Sequence, residues 1–210
     1  MTEHDTITRD RRDDWTLMNA LHDAFRRDLY QLLHTTAGPA AVQARWQVFR
    51  GQLHFHHTAE DTVMWPAVRA KLTGDPAGLA LMAEMEAEHA RIDPLLATVD
   101  DAIGIGAEPA RLREPLTRLS ETLAGHLAHE EAEALPLISK VLTRAELGQI
   151  GRAIARRGGL RQAATMFPWA LSDSRPGVSD RVLGGELPAP ARLLYRAVWL
   201  PRYQRRTPRL

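Results

Sequence analysis

Two short segments of the chain each place a histidine four residues before a glutamate. They are residues 56–60, His-His-Thr-Ala-Glu, and residues 126–130, His-Leu-Ala-His-Glu. On an α-helix, positions i and i+4 lie on one face a turn apart, so each segment would present an imidazole and a carboxylate to one centre. Without sulfur ligands, such a set favours iron or manganese, and zinc also accepts it. The two segments therefore predict a metal site.

The same arrangement occurs twice along the chain. The two segments begin 70 residues apart, and a proline follows each first histidine after ten residues, as Pro66 and Pro136. A single histidine also precedes each segment, His22 by 34 residues and His89 by 37. This spacing indicates an internal duplication of a two-helix unit.

Helix-forming composition and helix breakers indicate what positions these residues. Stretches rich in Ala, Leu, Glu and Arg, with apolar residues three and four apart, predict four long helices over residues 11–36, 40–73, 76–104 and 109–141. Short loops between them predict an all-α, up-down-up-down antiparallel four-helix bundle. Helical rise then brings six side chains to one height near the middle of the bundle. They are His22, His56, Glu60, His89, His126 and Glu130.

After residue 142 the character of the chain changes. A fifth helix is predicted over 143–157, with Thr143 and Glu146 as a capping box and Gly158-Gly159 as its end. A loop over 172–177 and a last helix over 188–203 follow. We therefore predict two domains, a bundle over 11–142 and a smaller, helical, basic extension over 143–210 that packs on it.

Composition excludes several classes of protein. The 210 residues include no cysteine, which excludes disulfides, thiolate nucleophiles and iron–sulfur clusters. No apolar run approaches the length of a membrane span and no signal peptide is visible, so we expect a cytoplasmic protein without a membrane partner.

Charge is spread unevenly along the chain. Residues 1–150 carry 15 Lys/Arg and 23 Asp/Glu, whereas residues 151–210 carry 12 Arg and 3 Asp/Glu. No nucleic-acid motif accompanies these arginines, so we expect no nucleic-acid partner.

The pattern of single histidine, H-x-x-x-E, single histidine and H-x-x-x-E-E, with its two prolines, resembles the hemerythrin family and its HHE cation-binding domains. The resemblance covers residues 13–141, and the C-terminal segment resembles extensions of actinobacterial members. It implies two iron ions with an oxo or hydroxo bridge, and manganese is the alternative. One ion would take His22 and His56 and the other His89 and His126, with both glutamates as bridges: Glu60 and Glu130.

The chain departs from the oxygen carriers of that family in one respect. Those proteins have a fifth histidine in an H-x-x-x-H on the third helix, whereas here Met85 and Asp93 stand four residues either side of His89. His57 and His129 lie about 100° around their helices from the predicted ligands. Five residues are therefore expected to surround the site or to supply a further ligand: His57, Asp61, Glu88, His129 and Glu131. Of these, Glu88, Asp61 and Glu131 could accept the free N–H of a ligand histidine.

Two functions follow as hypotheses. The first is a diiron enzyme that reacts with O₂ or H₂O₂, by peroxide breakdown or by oxidation of a small substrate, since fewer histidines leave more metal positions open. The alternative is an iron or oxygen sensor, or an O₂-binding protein, without turnover, whose basic C-terminal segment is the output. The sequence favours the enzyme, gives no catalytic residue beyond the metal site, and is compatible with a homodimer.

Overall fold

Every regular element in the described part of the chain is helical. The computed structural model describes residues 15–104, 106 and 109–207, and no strand occurs within them. The predicted all-α fold is confirmed. In chain order the α-helices are α1 (Thr16–His34), α2 (Pro39–Ala59), α3 (Trp65–Arg69), α4 (Pro76–Gly104), α5 (Pro109–His129), α6 (Leu135–Val141), α7 (Arg144–Leu171), α8 (Val178–Glu186), α9 (Ala189–Leu194) and α10 (Leu200–Arg206).

Three π-helical turns join some of these helices end to end. They are π1 (Glu60–Met64), π2 (Glu130–Ala134) and π3 (Tyr195–Trp199), and each ends two residues before a proline. Proline lacks an N–H and its ring clashes with the carbonyl four residues earlier, so a wider turn relieves the helix at that point. The first two turns begin at the glutamates of the two H-x-x-x-E segments, which supports the predicted duplication.

The second and third long helices run antiparallel. Trp46 on α2 donates its indole N–H to Asp100 near the end of α4, at 2.7 Å. Further along the chain, Arg69 at the end of α3 pairs with Glu86, which lies earlier on α4. As the chain advances along α2 and α3, the contacted residues on α4 come earlier in the sequence. The continuous helix α2–π1–α3 and the helix α4 therefore run in opposite directions, as predicted for this hairpin.

The chain divides into two compact units. The bundle unit is Asp28–Gly159, and the described residues of the terminal unit are 15–27 together with Leu160–Thr207. The predicted domains were 11–142 and 143–210. In the structure, α1 is divided between the two units, and residues 143–159 fall in the bundle unit. Large apolar side chains fill the core of the bundle unit: Leu29, Trp46, Phe49, Leu53, Trp65, Leu72, Met82, Met85, Ile92 and Leu116.

The terminal unit has an apolar cluster of its own. Its buried members come from α1, α7, α8 and the last helices: Ala20, Phe167, Leu171, Val182, Leu183, Leu187, Tyr195 and Trp199. Phe25 packs against Trp169 with ring centroids 4.9 Å apart. The guanidinium of Arg27 donates to the carbonyl of Trp169 at 3.0 Å and also to that of Ser172.

The predicted fifth helix is present and its capping box is formed. The backbone N–H of Thr143 donates to Glu146 at 2.9 Å, and the N–H of Glu146 donates back to the Thr143 hydroxyl at 3.3 Å. The predicted end at Gly158-Gly159 appears as a break within α7, where Gly159 has φ 63° and ψ −171°. The short helix α8 lies between the predicted loop over 172–177 and the predicted last helix over 188–203, where no element was predicted.

None of the described helices has the length and apolar character that a bilayer crossing needs.

Candidate metal centre

Both H-x-x-x-E segments bury their histidine and glutamate. His56 lies on α2 and Glu60 begins π1, while His126 lies on α5 and Glu130 begins π2. All four side chains are buried. The prediction that each segment presents an imidazole and a carboxylate from one helical turn therefore fits the bundle unit.

The carboxylate of Glu60 lies between two imidazoles. Its Oε1 is 3.2 Å from Nε2 of His56, and its Oε2 is 3.5 Å from Nε2 of His89. Burial raises the pKa of Glu60 well above its usual range, and the negative charges of Glu130 and Asp61 raise it further. Because neighbouring buried carboxylates cost free energy unless a cation neutralises them, this arrangement fits a metal ion.

Three imidazoles meet beside Glu60. His57, His89 and His126 each offer a ring nitrogen, and these atoms all lie within 4.8 Å of one another. The rings of His57 and His89 stack, with centroids 3.9 Å apart and planes 11° apart. The ring of His126 stands edge-on to His57 at 5.5 Å. Three buried imidazoles with converging nitrogens can bind one divalent ion.

Carboxylates determine which nitrogens of His89 and His126 face each other. Nδ1 of His89 is 2.9 Å from Oδ1 of Asp61, and Nδ1 of His126 is 2.9 Å from Oε2 of Glu88. Since an ionised carboxylate only accepts hydrogen bonds, both Nδ1 atoms donate, and a neutral ring then carries its lone pair on Nε2. The two Nε2 atoms are 3.2 Å apart. A cation bound by both lone pairs removes the repulsion between them.

The Glu88 carboxylate also accepts from a second histidine, because Nδ1 of His129 is 2.9 Å from its Oε1. Burial acts to raise the pKa of Glu88, but the hydrogen bonds from His129 and His126 outweigh it and lower that pKa. The hydrogen bond to Glu88 raises the pKa of His129. Burial, followed by the charge of His89, lowers the pKa of His126. Hydrogen bonds thus connect half-exposed His129 through Glu88 to buried His126.

Comparison with protein families found one family model that matches this chain. Residues 13–138 match the hemerythrin HHE cation binding domain, which is more than half of the chain. The chain belongs to the hemerythrin family. Comparisons with curated proteins and with solved structures found no match. The family domain ends within α6, so residues 139–210 follow it and lie outside the match.

For two of the predicted site residues of this hemerythrin-family chain, the structure gives the position and burial but no contact that assigns a role. His22 is fully buried on α1, in the part of that helix that belongs to the terminal unit. Glu131 is half-buried on π2. The ligand role of His22 and the supporting role of Glu131 therefore stay predictions. Of the histidines considered ordinary, His34 and His54 are exposed, and His4 lies outside the described residues.

Helical geometry alone could not decide whether His57 faces the site or the surface. Although it lies about a quarter-turn from His56, it is only 7% exposed and packs on His89. Met85 is buried and Asp93 is exposed, so the α4 positions expected for a fifth histidine of the family hold other residues. The doubled His56-His57 is the sequence signal for a second buried imidazole on α2, and the ligand role of His57 stays a prediction.

Proposed function

We propose that this hemerythrin-family chain is a non-haem diiron protein that binds and reacts with O₂ or H₂O₂. The observation that carries the proposal is the approach of the His89 and His126 Nε2 atoms to 3.2 Å. A carboxylate accepts from Nδ1 of each ring, so both Nε2 atoms carry lone pairs, and that of His89 lies 3.5 Å from buried Glu60. Family membership favours iron as the bound ion.

The described contacts support a division of ligands between two ions. His57, His89 and His126 would bind one ion through nitrogen, since their ring nitrogens cluster. His56 and the glutamates would bind the second, and His22 completes the set that the sequence predicts. The two Glu60 oxygens lie towards different histidines, which supports a bridging role for this carboxylate. Manganese also suits nitrogen and oxygen ligands, so the ion must be measured.

Reduced iron in such a site supplies the electrons that O₂ or peroxide accepts, while the chain supplies orientation and shielding. Asp61 and Glu88 hold the His89 and His126 rings by hydrogen bonds to Nδ1. Buried Met85 and Trp65 contribute apolar surface to the surrounding core of the bundle unit. Peroxide breakdown and oxidation of a small substrate are the two outcomes that we propose for this chemistry.

The first test is metal analysis of the purified protein with absorption spectra before and after H₂O₂. We expect about two irons per chain and fast peroxide loss, and Glu60→Gln should lose most of the iron because its carboxylate bridges. Glu84→Gln, an exposed change on α4, is the control. Full iron in Glu60→Gln would contradict the bridging role. No metal in the wild type, or a single zinc, would contradict the diiron proposal.

A sensor without turnover is the second candidate, and the surface of the terminal unit favours it. Leu193 is 70% exposed and Val198 is 44% exposed on the last helices, and exposed Arg196 lies between them in sequence. An exposed apolar and basic surface suits a protein partner better than solvent. Iron-dependent protection of this arginine-rich segment from trypsin, without peroxide loss, would favour the sensor. Peroxide turnover with unchanged trypsin cleavage would favour the enzyme.

A further inference from the structure

Trp65 combines full burial with an indole N–H that has no acceptor among the residues the structure describes. It begins α3 directly after π1, and its backbone N–H bonds to the carbonyl of Glu60. Its ring lies 6.4 Å from the ring of His89, centroid to centroid, with 28° between the planes. The only polar atom of this side chain is therefore buried, on a ring that neighbours the imidazole of His89.

A second tryptophan, on the same continuous helix α2–π1–α3, shows how a buried indole N–H is usually paired. Trp46 on α2 is also fully buried, but its indole N–H donates to Asp100 at 2.7 Å. Buried tryptophans generally find such a partner, because burying a donor without an acceptor costs free energy. Phenylalanine would fill much of the space at residue 65 without that cost, so packing alone does not account for the indole.

The internal duplication supplies a second comparison. Leu135 occupies the position of Trp65 in the second half, since each directly follows a π-turn and precedes a proline. Leucine has no polar side-chain atom, so this position of the repeated unit does not require a hydrogen-bond donor for packing. Of these two equivalent positions, only the one in the first half has an indole N–H donor, and it lies on the continuous helix α2–π1–α3 that also contains His57.

We propose that the Trp65 indole N–H donates a hydrogen bond to a small anionic or oxygen-atom ligand held at the metal ion of His57, His89 and His126. The inference rests on the proposed function and names the ligand class of that site. An indole N–H only donates and does not ionise, so it stabilises ligands with an available lone pair, such as peroxide, without competing for the metal. Trp65 in this view contacts the ligand directly and binds no metal itself.

Azide is the probe for this hydrogen bond, with iron-loaded wild type, Trp65→Phe and the matched control Trp46→Phe. Azide binding is followed by visible absorption. We expect the Kd for azide to rise about tenfold in Trp65→Phe, the usual scale for losing a hydrogen bond to a charged group. In Trp46→Phe, which loses a hydrogen bond within the protein, the Kd should change less than about twofold. Equal azide affinity in wild type and Trp65→Phe overturns the proposal.

A second measurement on the metal-free proteins does not depend on iron. Because the Trp65 N–H has no acceptor in the described chain, Trp65→Phe should lower the melting temperature less than Trp46→Phe, which breaks the bond to Asp100. An equal or larger fall in Trp65→Phe would show a protein acceptor and overturn the proposal. If the wild type binds neither iron nor azide, the proposed function fails and the ligand assignment fails with it. If iron binds and only the Trp65→Phe result is negative, the proposed function stands.

Discussion

Glu88 on α4 accepts a hydrogen bond from Nδ1 of His126 on α5, at 2.9 Å. The carboxylate is charged, partly buried and shared with His129, so it resists rotation and holds the imidazole of His126 in one tautomer. Nε2 of that ring is consequently available to a metal ion. The same relationship recurs between Asp61 and His89, so each of these two imidazoles has its own carboxylate.

Removing the carboxylate of Glu88 should weaken metal binding without removing a ligand. We expect Glu88→Ala to lower metal affinity about 10- to 100-fold, because the His126 ring loses its orientation and some basicity. Competition with a calibrated chelator measures this affinity. Glu86→Ala is the matched control, since Glu86 lies two residues earlier on α4 and pairs with Arg69 at the surface. Equal affinities in the two variants would contradict an orienting role for Glu88.

We expect His57 to be required for one of the two proposed ions. His57→Ala removes one of three converging nitrogens, so we expect iron content to fall from about two to about one per chain. His54→Ala is the control, because His54 lies on the same helix but is exposed. Iron content and absorption spectra compare the variants. Two irons with an unchanged spectrum in His57→Ala would show that this ring only packs against His89.

Much of the fold follows from local chemistry that the sequence displays. Proline at the starts of α4 and α5 and the capping box before α7 predict those helix beginnings correctly, because each satisfies or removes an orphan N–H. The i,i+4 spacing also predicts that His56 and Glu60 share a buried face. These features depend on neighbours within a single helical turn, which is why sequence alone reveals them.

Other features depend on contacts between segments far apart in sequence. The burial of His57 depends on which helices flank α2, and a helix with two neighbours buries a face wider than a single stripe. The assignment of Asp61 to His89 and of Glu88 to His126 needs the relative height of three helices. Neither could be derived from spacing, so the sequence left these residues as alternatives.

Two glycines of α7 should respond in opposite ways to alanine. Gly159 has φ 63° and ψ −171°, which an L side chain rarely adopts, whereas Gly151 is helical, and an added Cβ would meet no heavy atom within 4 Å at either position. We expect Gly159→Ala to lower the unfolding free energy by about 1–3 kcal/mol through backbone strain. Gly151→Ala should raise it by about 0.5–1 kcal/mol. Urea unfolding measures both, and destabilisation by both variants would contradict this account.

The capping box of α7 should contribute an acid-dependent part of the stability. A hydrogen bond from Lys71, and then those from the backbone and hydroxyl of Thr143, lower the pKa of Glu146 from 4.5 to about 2. Because the folded pKa lies below the unfolded one, this contribution is fully present above the unfolded pKa. It disappears as the pH falls towards the folded pKa.

Comparison with Glu146→Gln isolates this contribution from the other carboxylates that titrate in acid. Glutamine can still accept the bond from the Thr143 N–H, so the cap is kept while the charge that attracts Lys71 is lost. We expect wild type to be more stable than Glu146→Gln above about pH 5, and the difference to shrink as the pH approaches about 2. Added salt should also reduce the difference, because the Lys71–Glu146 pair is partly exposed and is screened by salt. A difference in unfolding free energy that is the same at every pH would mean that the neutral hydrogen bonds, and not the charge of Glu146, hold the start of α7.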